Sequence, residues 1–343
     1  MNSRSDTHAI ASSIGWWRRW PSWAGHAAGG AAALYGCVLL VAALMGYRSF
    51  IGVTDLGLPD ATWPGAAVLL AGSAIATATV RPWGGRVPPR ALSAGAWAVA
   101  VLALAGSCMV LLNLIQLVLT GTVSDRQGNS DWVSFAERLC LAVLGALFVA
   151  TALSHARRTA GLCPRCGRAH PPQASGRRHP TPHAAPPVVR RIVYAGGCAW
   201  LPYLVLHTLG AAGVPGIEPN GFRPTWYMLL AGVCGIGLAV FLLLGLVRPW
   251  GMVFPRWTLW LAGRRVPRFL PLAPVWVVAP TLAVYGTTSG ILAGAGLLSD
   301  DLFGIGGAAS LAFGGYGWAL AIAAVSYQLR TRPLCVPAGT AAP

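Results

Sequence analysis

Lysine is absent from this 343-residue chain, and only 9 Asp and Glu residues are present. Charged residues make up 10% and hydrophobic ones 55%, against roughly 25% charged residues in ordinary soluble domains, so a water-soluble globule is excluded. No Asp, Glu or Arg falls in the middle of a long apolar run. That absence excludes a carboxylate proton relay and a voltage sensor, both of which work by charges held inside the bilayer. A His-Glu-x-x-His motif, a phosphate-binding loop and paired carboxylates are missing too, so none of the common hydrolytic or phosphoryl-transfer sites is written into the chain. The 8 Cys lie mostly inside apolar runs, which excludes a disulfide-rich secreted scaffold.

What is present is a series of apolar runs. Crossing the hydrocarbon takes about 20 apolar residues, and eight stretches qualify: approximately 27–47, 64–80, 93–120, 136–154, 192–213, 225–247, 272–296 and 306–328. The expected fold class is therefore all-α, a polytopic transmembrane bundle of eight spans. The third stretch is longer than a perpendicular crossing needs, so it is expected to tilt or protrude. All 25 basic residues are Arg, and 21 of them sit at one set of span ends, while eight of the nine acids sit at the other. Arginine near span ends resists translocation, so both termini are expected on the cytoplasmic side of the plasma membrane.

A motif recurs at matching positions in the two halves. Arg81-Pro82-Trp83-Gly84 follows the second stretch, and Arg248-Pro249-Trp250-Gly251 follows the sixth. Upstream, Leu69 to Gly72 matches Leu229 to Gly232; downstream, Arg86-Val87-Pro88 and Trp97 match Arg265-Val266-Pro267 and Trp276. Four spans per unit is an even number, so the expectation is two parallel repeats. The expected segments are 1–26 (N-terminal, interfacial), 27–154 (first repeat), 155–191 (Arg- and Pro-rich cytoplasmic linker), 192–329 (second repeat) and 330–343 (tail). Between the motif and Arg265, the second unit adds Met252 to Gly263, whose Arg256, Trp257 and Trp260 suit a short interfacial helix. On these motifs the chain resembles a group of uncharacterised, Ala- and Arg-rich multi-pass membrane proteins of high-GC actinobacteria. The resemblance implies a plasma-membrane location and brings no activity or ligand with it.

Two sets of residues are candidates for chemistry. Within the linker, Cys163-x2-Cys166-x12-His179-x3-His183 has the spacing of four tetrahedral zinc ligands. Pro171, Pro172, Pro180 and Pro182 oppose the helix that a zinc finger needs, so a knuckle on the Cys pair completed by His170, His179 or His183 is one reading. A flexible basic tether with reduced thiols is the other. Anionic headgroups account for the eight linker arginines, so no nucleic acid is expected as partner.

The second set is polar and intramembrane: Asn113 and Gln116 in the third stretch, His207 in the fifth, and Thr287, Thr288 and Ser289 in the seventh. At about 1.5 Å per residue they share an outer-half depth. They form either a polar cavity open to the outside or a set of local interhelical hydrogen bonds. A Ser289–His207 pair resembles a rhomboid protease only in part, because Thr287 stands where that family has Gly, so no enzyme is expected. The repeating Gly286, Gly290 and Gly294, with Gly306, Ser310 and Gly314, predict close packing of the last two spans. The functional expectation is passage or binding of a small solute or ion at the repeat interface. The alternative is a membrane scaffold or accessory subunit whose central loop recruits a protein partner or a second copy.

Overall fold

The computed structural model describes residues 20–47, 62–124, 129–163, 167–169, 176–217, 226–296 and 304–336. Among these the fold is helical apart from one antiparallel ladder of two three-residue strands. Six of the expected stretches form helices long and apolar enough to cross a membrane: Trp20–Leu44, Pro89–Val118, Trp132–Thr159, Pro187–Ala211, Phe269–Gly294 and Ile305–Arg330. The second and sixth stretches give shorter apolar helices, Thr62–Ala78 and Gly232–Val247. By length and composition this is a multi-pass membrane protein.

Two of the long apolar segments are interrupted at residues with identifiable local chemistry. In the third stretch, α3 (Pro89–Gly106) and α4 (Val110–Thr120) are separated at Ser107, whose hydroxyl donates to the Leu104 carbonyl oxygen at 2.8 Å. Such back-bonding competes with the helical ladder and bends it. The long third stretch is thus two helical segments with a break between them. In the fifth stretch, α6 (Pro187–Cys198) gives way at Ala199 to α7 (Trp200–Ala211). Pro202 lacks the N–H that would bond the Cys198 carbonyl, and its ring crowds it.

The chain forms two compact units. One comprises Met1–Ser107 with Thr122–Pro172, the other Cys108–Gly121 with Gln173–Pro343. The first unit contains α1 (Trp20–Leu44), α2 (Thr62–Ala78), α3 and α5 (Trp132–Thr159). Apolar transfer cannot drive helices together in lipid, so small residues and hydrogen bonds must. Accordingly α1 buries Ala24, Ala28 and Ala32 at helical spacing, and Ser73 of α2 donates to the Gly29 carbonyl at 2.8 Å. Leu69, Val99, Leu144 and Phe148 fill the centre.

The second unit contains α4, α6, α7, α8 (Trp226–Val247), α9 (Phe269–Gly294) and α10 (Ile305–Arg330). The expected Gly-mediated contact of the last two spans is present: a Cβ on Gly286 would overlap the backbone of Gly314. Gly290 is further out, since a Cβ there would stand 3.6 Å from the Ser310 Cβ, and Gly294 faces open space. The core is built on Leu243, Leu246, Leu282, Tyr316, Leu320 and Tyr327. The Tyr316 hydroxyl is satisfied by the Ala239 carbonyl at 2.9 Å.

The segment expected as a linker, 155–191, contains regular structure. Helix α5 extends to Thr159, α6 begins at Pro187, and β1 (Gly176–Arg178) pairs with β2 (Leu334–Val336), with Arg177 opposite Cys335. In the inserted segment after the second motif, the short helix expected around Trp257 and Trp260 is a kinked 3-10 turn and not an α-helix. The segment is a loop closed by the Val253–Arg265 bridge, with that turn over Arg256–Leu261 at its tip.

Candidate functional site

The repeated motif forms a corner in each unit, and its chemistry follows from its residues. Helix α2 ends at Ala78, Arg81 is extended (φ −98°, ψ 150°), and Pro82 opens a 3-10 turn running to Arg86. Proline cannot continue the helix but is well placed at the first position of a new turn. Gly84 closes that turn with its N–H on the Arg81 carbonyl at 3.1 Å. It must be glycine, because a Cβ there would overlap the Ala78 carbonyl oxygen. The second corner repeats this. Arg248 is extended (φ −96°, ψ 157°), Pro249 opens a 3-10 turn, and Gly251 lies against the Gly245 carbonyl oxygen.

A helix ends with carbonyls that have no intrahelical donor, and at both corners an arginine from the end of a later helix supplies one. Arg158 of α5 donates through Nη2 to the Thr79 carbonyl at 3.2 Å. Arg330 of α10 donates through Nη2 to the Leu246 carbonyl. Thr79 and Leu246 each stand two residues before the motif arginine. A cation at the carbonyl end of a helix is favoured by the helix dipole as well as by the hydrogen bond.

The two corners differ in what else they hold. Arg158 is exposed, whereas Arg330 is 9% exposed and its Nη1 donates to the His183 carbonyl at 2.6 Å and contacts Met252 Sδ at 3.5 Å. Around it, the Tyr327 hydroxyl donates to the Gly251 carbonyl at 2.9 Å, and the Ala185 N–H donates to the Val247 carbonyl at 2.8 Å. Arg265 donates to the Pro180 carbonyl at 3.0 Å. Linker residues 180–185 are thereby held on the second unit by backbone acceptors, with β1–β2 pairing just upstream. Sequence reasoning placed Arg330 at the start of the tail 330–343 and gave it no contact. The available signal was its position at the end of the last span, as Arg158 stands at the end of α5.

The zinc candidates divide between the units. Cys163, partly buried, belongs to the first, while His179 and His183, both exposed, belong to the second. His183 Nδ1 lies 2.9 Å from the Thr181 carbonyl oxygen. The Gly167 N–H donates to the Cys163 carbonyl at 2.6 Å, the Cys163 N–H donates to the Arg168 carbonyl at 3.1 Å, and Gly167 takes φ 61°. Cys166 and His170 lie outside the described residues. Among the described residues no three His, Cys, Asp or Glu side chains gather as metal ligands.

All six intramembrane polar candidates fall in the second unit. Asn113 (8% exposed) and Ser289 (9%) are buried, Gln116, His207 and Thr288 are half-buried, and Thr287 is exposed. The Thr287 hydroxyl accepts from Trp318 Nε1 at 3.0 Å, an interhelical bond between α9 and α10. His207 packs edge-on against Tyr203, with centroids 4.4 Å apart. Trp200, Tyr203 and His207 share one face of α7 by their spacing, and Trp200 and Tyr203 meet Phe313 of α10. The Trp200 indole N–H is buried without a hydrogen-bond partner among the described residues.

Beside the second corner lies an open groove of about 550 Å³, lined by Phe241, Leu244, Arg248, Trp250, Pro255 and Trp257 among others. Trp250 stacks on Phe241 with centroids 4.8 Å apart and an interplanar angle of 24°. Gly245 makes this contact possible, since a Cβ there would stand 2.9 Å from the Trp250 ring. The first unit has Ala78 at the matching place, and its Trp83 stands 50% exposed. No protein-family model, curated protein or solved structure matches the chain, so the corners, the fastened linker and the groove are the grounds on which its function is argued.

Proposed function

We propose that the protein is a non-enzymatic scaffold or accessory subunit of the plasma membrane, with both termini and the central loop in the cytoplasm, where the loop receives a protein partner. The observation that carries this reading is the buried Arg330, which joins the end of α8 to the His183 carbonyl of the loop. Fixing a backbone residue costs about 1 to 2 kcal/mol. A segment that is only a tether needs no such fastening, while a docking platform does.

The two halves of the sequence read as copies of one four-span plan. Supporting this are the like dihedrals of Arg81 and Arg248, the glycines pressed against carbonyls six residues upstream, and the matching Arg158 and Arg330 contacts. The hairpins agree as well. Gly145 of α5 faces Leu104 of α3, and Gly317 of α10 faces Ala283 of α9; Leu104 and Ala283 stand at the offset that relates Trp97 to Trp276, and Gly145 and Gly317 at the offset that relates Arg158 to Arg330.

A photo-crosslinking residue in place of His179 or Thr181 tests the scaffold reading in cells. The expected result is one discrete protein adduct whose yield falls when Arg330→Gln releases the loop. Absence of an adduct, together with solute or ion flux in proteoliposomes of the purified protein, would replace this reading with the second one. That second reading, solute binding within the second unit, draws on the Trp200 indole N–H beside Tyr203 and His207.

Zinc on Cys163 and Cys166, completed by His170 and a further ligand, extends the scaffold reading. The tight turn from Cys163 to Arg168 supports it, because its hydrogen bonds draw the chain back on itself across the Cys-x-x-Cys segment. Purified protein is expected to carry about one zinc per chain, lost in Cys163→Ser. Metal-free protein with reduced thiols would return the loop to a metal-independent platform.

A further inference from the structure

The second corner differs from the first by an insertion of twelve residues between the motif glycine and the Arg-Val-Pro that leads into the next helix. The insertion has a defined backbone. The Phe254 N–H donates to the Arg264 carbonyl at 2.9 Å, the Gly263 N–H returns to the Phe254 carbonyl at 3.0 Å, and the Val266 N–H closes on the Met252 carbonyl at 3.0 Å. At its tip Leu259 adopts φ 48°, a conformation rare for a side chain of that bulk. The loop spends this geometry on exposure: Trp257 is 68% exposed, Leu259 78% and Trp260 91%. Its base sets Pro255 and Trp257 across from Phe241 and Leu244 of α8, making the groove.

The chemistry of that groove selects its occupant. Small polar metabolites are held by several convergent polar groups, whereas here Arg248 alone among the lining residues carries a charge. The remaining walls are aromatic or aliphatic. Arg248 is exposed, its guanidinium 5.6 Å above the Tyr194 ring, and no Asp or Glu occurs anywhere from 219 to 299. A ligand with one anionic head and an apolar chain matches this arrangement, since arginine pairs with phosphate oxygens and the indoles suit the depth where headgroup meets acyl chain.

We propose that this groove is a binding site for one anionic phospholipid, with its phosphate at Arg248 and an acyl chain lying along the apolar wall that Phe241, Leu244 and Trp257 form together. The site depends only on the chain being embedded in a bilayer. It stands apart from the scaffold reading and can survive or fail without it.

Native mass spectrometry of the full chain, released from nanodiscs containing equal amounts of phosphatidylglycerol and phosphatidylcholine, tests the site directly. The wild type is expected to retain one phosphatidylglycerol in preference to phosphatidylcholine. Arg248→Gln is expected to lower that retention about five-fold, and Trp257→Ala to lower it without affecting the fold, because the ring is largely exposed. Trp83→Ala, at the corner without an insertion, should leave retention unchanged. Should Arg248→Gln fail to fold, Trp257→Ala decides. Equal retention of the two lipids, or equal retention by wild type and Trp257→Ala, would overturn the proposal. A loss of equal size in Trp83→Ala would overturn it as well, by identifying the retained lipid as a general annular one.

Discussion

The first corner, after α2, and the second, after α8, are made by the same residues doing the same work, yet the first ends there and the second gathers neighbours. Proline stops the helix, glycine lets the returning chain touch a carbonyl, and an arginine from a later helix caps the open end. What differs is the environment of that arginine. Arg158 lies at the surface with one carbonyl on its Nη2, while Arg330 is enclosed and serves two carbonyls and a thioether. The same backbone device is a plain turn in one unit, and in the other it stands beside a fastened loop and an open groove.

The strongest test of the shared part is to add a methyl group at each motif glycine. Gly84→Ala and Gly251→Ala both place a Cβ on a carbonyl oxygen that belongs to backbone and cannot swing away. Each is expected to destabilise its unit by about 3 kcal/mol, the upper range for overpacking, read as a lower thermal midpoint in detergent. If one substitution is harmless, the corners are not equivalent and the repeat is weakened at its best-matched point.

The difference between the corners predicts a smaller and unequal pair of effects. Arg330→Gln leaves the Leu246 and His183 carbonyls without their charged donor in a buried place, at an expected cost of about 2 to 3 kcal/mol. Arg158→Gln removes one bond at the surface and should cost less than about 1 kcal/mol. Thermal midpoints of the two variants, with hydrogen exchange at the Ala185 amide, check this. Equal losses, or an Ala185 amide equally protected in Arg330→Gln and wild type, would remove the distinction between a plain and a fastened corner.

The helical membrane class was legible because it depends on composition and run length, which no packing detail can reverse. The glycine contact at Gly286 and Gly314 was legible for a related reason, since small residues at intervals of four have few other uses in lipid. The interruptions at Ser107 and Ala199 were harder to see. They turn on one hydroxyl and one missing N–H inside runs whose hydropathy stays high. The bonding of Arg330 was out of sight because charge counting assigns arginines to the nearest aqueous end. It cannot tell one that points to water from one that folds back onto a helix terminus. The groove was out of reach for a different reason: Phe241, Trp250 and Trp257 are apolar residues among many, and only the close approach permitted by Gly245 makes them neighbours.

The pairing of Gly176–Arg178 with Leu334–Val336 bears on the order in which the molecule is made. The two strands are separated by on the order of 160 residues, so the ladder closes one of the longest loops in the chain and gains nothing from local sequence. During synthesis the linker leaves the ribosome long before its partner strand exists. Its Arg330 clasp and its strand partner come from the same late stretch of chain. The fastened form of the loop therefore stays unassembled while the helices of the second unit are made, and it forms as a late event, after the last of them. The state of the loop then reports whether the second unit has been completed, and a partner that recognises the closed form would engage finished molecules and pass over nascent ones.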